Sequence, residues 1–122
     1  MKAVLVLCIL AAVAYADDTY DSKYDTFNAD ELVENPRLLK SYMNCFLDKG
    51  RCTPEGNDFK KVIPEAVRTS CAKCSGPQRQ LVRKVIKAFQ AKLPQEWSEL
   101  VKKEDPNGQY TVEFNKFVAG SD

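Results

Sequence analysis

From Asn28 to Val118 the apolar side chains recur at intervals of three and four residues, and the pattern keeps restarting at a polar cap closely followed by a proline. That interval is the period of an α-helix with one buried face, and Asn35-Pro36, Thr53-Pro54 and Ser75-Gly76-Pro77 are the kinds of place where such helices begin. Asn28 with Glu31 three positions on predicts a short helix through about Glu34. A second helix carries Leu38, Leu39, Tyr42, Met43, Phe46 and Leu47, with Gly50 expected to end it. The third bears Phe59, Val62, Ile63, Ala66 and Val67, and Pro64 is expected to kink or interrupt it. Ser75 and Gln78 form a capping-box pattern ahead of Leu81, Val82, Val85, Ile86, Phe89 and Leu93, the clearest stripe in the chain. Pro94 opens a fifth helix with Trp97, Leu100 and Val101, and Asp105-Pro106-Asn107-Gly108 reads as a turn. Tyr110, Phe114, Phe117 and Val118 suit a short sixth helix, although Thr111, Val112 and Phe114 also tolerate a strand. With no sustained period-two alternation and no repeat, the fold class is all-α.

The first sixteen residues have the form of a secretory signal peptide: Lys2, an apolar and small run from Ala3 to Ala14, and Ala14-Tyr15-Ala16 as a small-x-small cleavage site before Asp17. A membrane anchor needs about 20 apolar residues, and Asp17, Asp18, Asp21 and Asp25 cut this run short. Residues 17–122 remain as one secreted domain, without stable membrane insertion. Residues 17–27 are acidic and aromatic, an extended arm carrying Tyr20, Tyr24 and Phe27 that can drape over the core.

Of 18 lysines and arginines, Lys2 leaves with the signal peptide, and the rest match the 17 aspartates and glutamates. A balanced domain has no net field to steer it to nucleic acid or an anionic membrane. The chain has no histidine, which removes the commonest general base and metal ligand and leaves any Ser or Cys nucleophile without its usual partner. No cofactor is implied, and the chain is not expected to be an enzyme.

Cys8 falls in the signal peptide, so Cys45, Cys52, Cys71 and Cys74 enter an oxidising compartment, where an even number reads as disulfides. Three pairings are possible; joining each cysteine to its near neighbour is the simplest. Cys71 and Cys74 lie one helical turn apart, compatible with a disulfide's Cα separation of about 4.4 to 6.8 Å. A zinc site on four thiolates normally shows two close pairs, and only one is present. A redox-active Cys-x-x-Cys belongs in a βαβ unit, which the helical pattern does not supply.

Other site-like residues have plainer explanations. Asp105 and Asn107 resemble the start of a calcium loop, but Gly108 comes two positions early. Glu96, Glu99 and Glu104, with Lys102 and Lys103 following the first two, read as surface charge, as do Lys60, Lys61, Arg79, Arg83, Lys84 and Lys87. What the helices have in surplus is aromatic and branched apolar side chains, which either fill the core or line a hollow within it. Periodicity does not separate those two outcomes.

The spacing Cys45, Cys52, Cys71, Cys74 resembles that of the insect chemosensory proteins. So do Tyr24-Asp25, Arg37-Leu38-Leu39, Tyr42 three before Cys45, Cys52-Thr53-Pro54-Glu55-Gly56, Pro64-Glu65-Ala66, Cys71-Ala72-Lys73-Cys74 and Trp97, across nearly the whole mature chain. The resemblance implies a compact bundle of about six helices, disulfides Cys45–Cys52 and Cys71–Cys74, and a hydrophobic tunnel for long-chain fatty acids, alcohols, esters or odorant-like molecules. It places Tyr42 and Trp97 among residues that line or gate the tunnel, and Phe59, Val62, Ile63, Val67, Val82, Val85 and Ile86 at or next to lining positions. Tyr24 and Asp25 correspond to an arm near the entrance. Two departures stand out: Glu104 occupies a position where the family usually has tyrosine, and Asn35-Pro36 varies the helix start.

The implied function is a secreted, monomeric carrier of small hydrophobic ligands. The rival is a secreted protein acting through its surface in reproduction, development or defence. An internal void of a few hundred cubic ångströms is what distinguishes them, because a long lipid cannot otherwise be enclosed.

Overall fold

The structure, a computed structural model, describes residues 20–25 and 27–121. The signal peptide, its cleavage site, Cys8 and residues 17–19 of the arm lie outside them. A single tight helical turn at Ser22–Tyr24 precedes six helices: α1 Ala29–Glu34, α2 Pro36–Phe46, α3 Pro54–Thr69, α4 Gly76–Lys92, α5 Pro94–Glu104 and α6 Thr111–Ala119. The fold is all-α. No helix among the described residues is long and apolar enough to cross a membrane.

The starts are set by the caps. Asn28 Oδ1 accepts from Glu31 N at 3.0 Å, Asn35 Oδ1 from Leu38 N at 3.1 Å and Thr53 Oγ1 from Gly56 N at 3.0 Å. Ser75 and Gln78 complete a reciprocal capping box: Gln78 N donates to Ser75 Oγ at 3.3 Å and Ser75 N to Gln78 Oε1 at 2.9 Å. Each cap satisfies backbone donors that the first turn of a helix leaves open.

Three expectations need correction. The stop assigned to Gly50 comes earlier: α2 ends at Phe46, Leu47 caps it, and Asp48 takes the left-handed φ of 62°. The chain bends there because the Cys45–Cys52 bridge ties its far side back to α2, and Lys49 N donates to Asn44 O at 2.8 Å. Pro64 does not interrupt its helix; α3 continues from Pro54 to Thr69, packed into the bundle on both sides of the proline through Ile63 and Ala66. Arg83 is not on a solvated face. It is 3 % exposed, donates from Nε to Phe117 O at 2.8 Å, and lies 4.5 Å from the centre of the Phe117 ring. Arg79 lies half-buried over the same ring at 4.8 Å.

Leu32, Leu39, Met43, Phe46, Phe89 and Leu100 make one buried cluster between α1, α2, α4 and α5. Phe114, Phe117 and Val118 of α6 close a second cluster against Ala66 and Cys71. Asp105 decides that residues 111–119 become a helix. Its carboxylate, 5 % exposed, accepts from Gln109 N at 2.9 Å, from Tyr110 N at 3.0 Å and from the Thr111 hydroxyl, fixing the turn that launches α6. The Thr111 hydrogen bond, with those backbone donors, holds this carboxyl below its usual range. Disulfides join Cys45 to Cys52 and Cys71 to Cys74, with Cα atoms 4.9 and 5.1 Å apart. The second pins the corner where Ser70 and Cys71 adopt φ of 53° and 64°.

Candidate ligand cavity

Two hollows meet inside the bundle. The inner one, about 130 Å³, is lined by side chains of all six helices and of Phe27, and no polar atom faces it. Tyr42 and Phe46 reach it from α2, Trp97 and Leu100 from α5, Leu32 from α1 and Phe114 from α6. Helix α3 supplies Phe59, Val62, Ile63, Ala66 and Val67, and α4 supplies Leu81, Val82, Val85, Ile86 and Phe89. These two helices contribute a face each because their apolar residues repeat at three and four positions, which stacks them in a line.

The outer hollow, about 330 Å³, lies between the arm, the middle of α3 and the N-terminal half of α4. Phe59, Val62, Ala66, Leu81 and Val82 belong to both, so these side chains form the partition. The remaining wall is mixed: Tyr20, Lys23 and Tyr24 from the arm, Asp58 and Lys61 from α3, Gln78 from α4.

A run of rings follows the cavity from arm to α5. Tyr24 meets Phe59 edge-on at 4.9 Å between centroids, Phe27 meets Phe59 at 5.1 Å, and Tyr42 lies 6.4 Å from Phe59. Tyr42 then contacts Phe46 at 6.1 Å, Phe46 contacts Phe89 at 6.2 Å, and Phe89 stacks on Trp97 at 6.5 Å. The Tyr42 hydroxyl is not left without a partner in this apolar setting: Thr53 Oγ1 donates to it at 3.4 Å. Gly56 allows that approach, since a Cβ there would come within 3.2 Å of Thr53 Oγ1 and 3.4 Å of the Tyr42 ring.

The arm is fastened, not merely draped. Tyr20 Oη donates to Glu65 Oε1 at 2.8 Å, Tyr24 Oη donates to Asp58, and Tyr20 N donates to Lys73 O at 3.0 Å. Gln78, 6 % exposed, donates from Nε2 to Asp21 O and to Asp25 Oδ1, both at 2.9 Å. Burial, and then the bond to Glu65, pushes the Tyr20 hydroxyl well above the usual phenol range; the bond to Asp58 pushes Tyr24 up as well. In return the tyrosine hydrogen bonds hold the Asp58 and Glu65 carboxyls below theirs, with Lys23 and Lys73 adding to the effect.

Residues 20–112 match the profile of the insect pheromone-binding family A10/OS-D. The chain belongs to that family. This A10/OS-D protein is 43 % identical to ejaculatory bulb-specific protein 3 of Drosophila melanogaster, over 99 % of this chain and 97 % of that one. It is 40 % identical to allergen Tha p 1 of Thaumetopoea pityocampa, over 93 % of this chain and 92 % of that one. Among solved structures, a chemosensory protein in complex with bromo-dodecanol superposes with a TM-score of 0.72 at 35 % identity, covering 80 % of this chain and 98 % of its own. Antennal chemosensory protein A6 of the moth Mamestra brassicae superposes with a TM-score of 0.66 at 34 % identity, covering 81 % of this chain and 92 % of its own. The family is one of binding proteins, not of enzymes.

Within this A10/OS-D fold, Tyr42, Phe59, Val62, Ile63, Val67, Val82, Val85, Ile86 and Trp97 surround the inner cavity, and Tyr24 borders the outer hollow. Sequence reasoning put Phe46, Leu81, Phe89, Leu100 and Phe114 on the apolar helix stripes without choosing between core and cavity wall, and they line the cavity. It missed Gln78 as the anchor of the arm; the capping-box signal marked the residue, but for a local role. Glu104, standing where tyrosine was expected, is 12 % exposed, and its Oε1 accepts from Lys103 Nζ at 3.3 Å. It borders a crevice of about 30 Å³ beside Trp97, Leu100 and Phe114. Its carboxylate therefore meets the back of the cavity wall and does not line the cavity itself.

Proposed function

We propose that this protein is a secreted carrier in which the signal peptide 1–16 is removed and a monomeric domain holds one small hydrophobic, long-chain molecule among α2, α3, α4 and α5. The observation that carries this reading is a wholly apolar cavity inside the bundle, abutting a second hollow with a polar rim. An amphiphile has the matching distribution: a hydrocarbon tail for the first space and a polar head for the second. The bromo-dodecanol held by a structural relative is a molecule of that kind. Fatty acids, long-chain alcohols and esters fit it, as do pheromone-like or odorant molecules of similar shape. Tyr42 and Trp97 act as wall and gate, with Phe59, Val62, Ile63, Val67, Val82, Val85 and Ile86 as lining and Tyr24 at the access.

Transfer of a chain out of water gives about 0.8 kcal/mol per methylene, so ten methylenes supply about 8 kcal/mol before the costs of association. Micromolar affinity needs about 8.2 kcal/mol net, so ten methylenes set an upper bound, and a longer tail or contacts of the head group have to offset the costs of association. Selectivity is broad, because carbon walls discriminate by length and shape. The inner cavity alone, about 130 Å³, is smaller than the roughly 300 Å³ at which pockets for drug-sized ligands begin. A twelve-carbon ligand therefore spans both spaces, displacing the Phe59 and Leu81 side chains that divide them.

Displacement of a fluorescent fatty-acid probe tests the reading, with the single Trp97 as an internal reporter in the cavity wall. Saturable probe binding, reversed by dodecanol and accompanied by a change in Trp97 emission, is expected. The modest inner volume, about 130 Å³, is the observation that keeps a second reading, a secreted protein acting through its surface; absence of saturable binding with Trp97 emission unchanged overturns the carrier.

A further inference from the structure

The face of α2 that points away from the cavity carries a further depression, open and wide, of about 540 Å³. Arg37, Lys40, Ser41 and Asn44 line it from the helix, spaced so that they share one face, while Tyr42 and Phe46 of the same helix are buried. Gly50 and Arg51 complete it from the loop after α2. That loop folds back because Cys45 is bonded to Cys52, because Lys49 N donates to Asn44 O at 2.8 Å, and because Gly50 has no Cβ, which would lie 3.2 Å from Asn44 Cβ. The disulfide thereby brings Arg51 beside two cations that precede it by eleven residues and more.

The charges around it leave this site positive. In the same loop Asp48 is ion-paired with Lys60 and with Lys103, and Lys49 with Glu99. Arg37, Lys40 and Arg51 are exposed, no carboxylate lines the depression, and among the described residues none of the three is in an ion pair. The balance of charge over the whole domain conceals this local concentration.

We infer that the protein docks transiently, through the Arg37–Lys40–Arg51 depression, on an anionic membrane surface whose headgroup phosphates and carboxylates it contacts. Cations on flexible exposed stems, spread over a wide depression, suit a layer of headgroups; a single enclosed anion calls for convergent buried donors. The opposite side of α2 is wall to the apolar cavity, so docking lays that helix on the interface where amphiphiles partition. The inference does not require the cavity to be filled: docking without carriage and carriage without docking are separate results in separate assays.

Flotation with vesicles of phosphatidylcholine containing about a third phosphatidylserine, at low salt, is the test, with pure phosphatidylcholine as reference. The wild type is expected on the anionic vesicles and not on the neutral ones. Replacing Arg37, Lys40 and Arg51 together by Ala lowers partitioning about a hundredfold, at about fivefold per cation. The triple variant Arg68→Ala, Lys87→Ala, Lys102→Ala changes net charge equally at exposed positions elsewhere and loses less than about fivefold. Arg37→Lys with Arg51→Lys retains binding, and circular dichroism with thermal unfolding confirms that each variant is folded. The inference is overturned by failure of the wild type to float with anionic vesicles, or by equal losses in the two alanine triples. Binding of poly-glutamate or inorganic phosphate at the depression by a protein that ignores the vesicles overturns it as well.

Discussion

Val85 and Ile63 line a cavity that presents no polar atom, so the only interaction they offer a ligand is carbon contact and the only way to abolish it is to occupy the space. Val85→Trp fills much of a void of about 130 Å³. It is expected to weaken binding of a twelve-carbon alcohol at least about tenfold, equivalent to about 1.4 kcal/mol, with the helical circular dichroism spectrum unchanged. Ile63→Phe, a milder filling, gives an intermediate loss in the same displacement assay. Unaltered affinity in both variants places the ligand elsewhere. Arg83 carries a different prediction. Arg83→Met keeps the stem that packs on Phe117 but removes the buried charged hydrogen bond to the Phe117 carbonyl, which retains only Gly120 N as donor at 3.0 Å. The expected cost is about 2 kcal/mol, read from urea unfolding. Lys84→Met, one residue on, removes only an exposed pair with Asp30 and changes stability by less than about 0.5 kcal/mol. Nothing in the local pattern separates these neighbours, because Arg83 is buried by α6 folding over it from more than thirty residues away.

At the scale of elements, the arm is held by hydrogen bonds whose strength depends on protonation. Asp58 and Glu65 have carboxyls held below their ordinary values by Tyr24 and Tyr20. Their contribution is therefore present above the usual carboxylate value of about 4 and is lost as pH falls through the depressed folded values. The hydroxyls of Tyr20 and Tyr24 are raised, so their contribution is present below about 10 and lost as pH rises through the raised values. The arm is expected to stay fastened across the neutral range and to loosen in strong acid. Hydrogen-exchange protection of the Tyr20 amide, which donates to Lys73 O, measures this. Protection that is equal near pH 7 and about pH 3 contradicts the assignment. Tyr20→Phe combined with Tyr24→Phe lowers protection at neutral pH and reduces the acid-side change, leaving the part that the Lys23–Asp58 ion pair contributes. The helix starts at Asn28, Asn35, Thr53 and Ser75 were legible because a cap is a bond between residues three apart. The fastening of the arm was not, because Tyr20 and Glu65 are far apart in the chain and only the packed bundle brings them together.

For the whole molecule, a carrier that binds its ligand only when folded gains stability by mass action. Dodecanol at a hundred times its dissociation constant is expected to add about 2.7 kcal/mol. In a domain of this size that raises the unfolding temperature by about 11 to 22 °C, at about 4 to 8 °C per kcal/mol. Differential scanning calorimetry with and without the alcohol measures it, and Val85→Trp should show little of the effect. A wild-type unfolding temperature that does not move at saturating alcohol counts against an internal site.

The sequence by itself determined the helices, the chain's punctuation by cap and proline, and the four-cysteine spacing with its family resemblance. These are local quantities, set by hydrogen bonds and rotamers within a few residues, and their pattern remains visible along the chain. Only the tertiary structure decided how the space between helices is divided into a small inner cavity and an outer hollow, with Phe59, Val62 and Leu81 as partition. An apolar stripe has the same periodicity whether it meets another side chain or a void. The same holds for charge: a balanced composition gave no hint that a disulfide loop sets Arg51 beside Arg37 and Lys40, because which like charges become neighbours is a property of the fold.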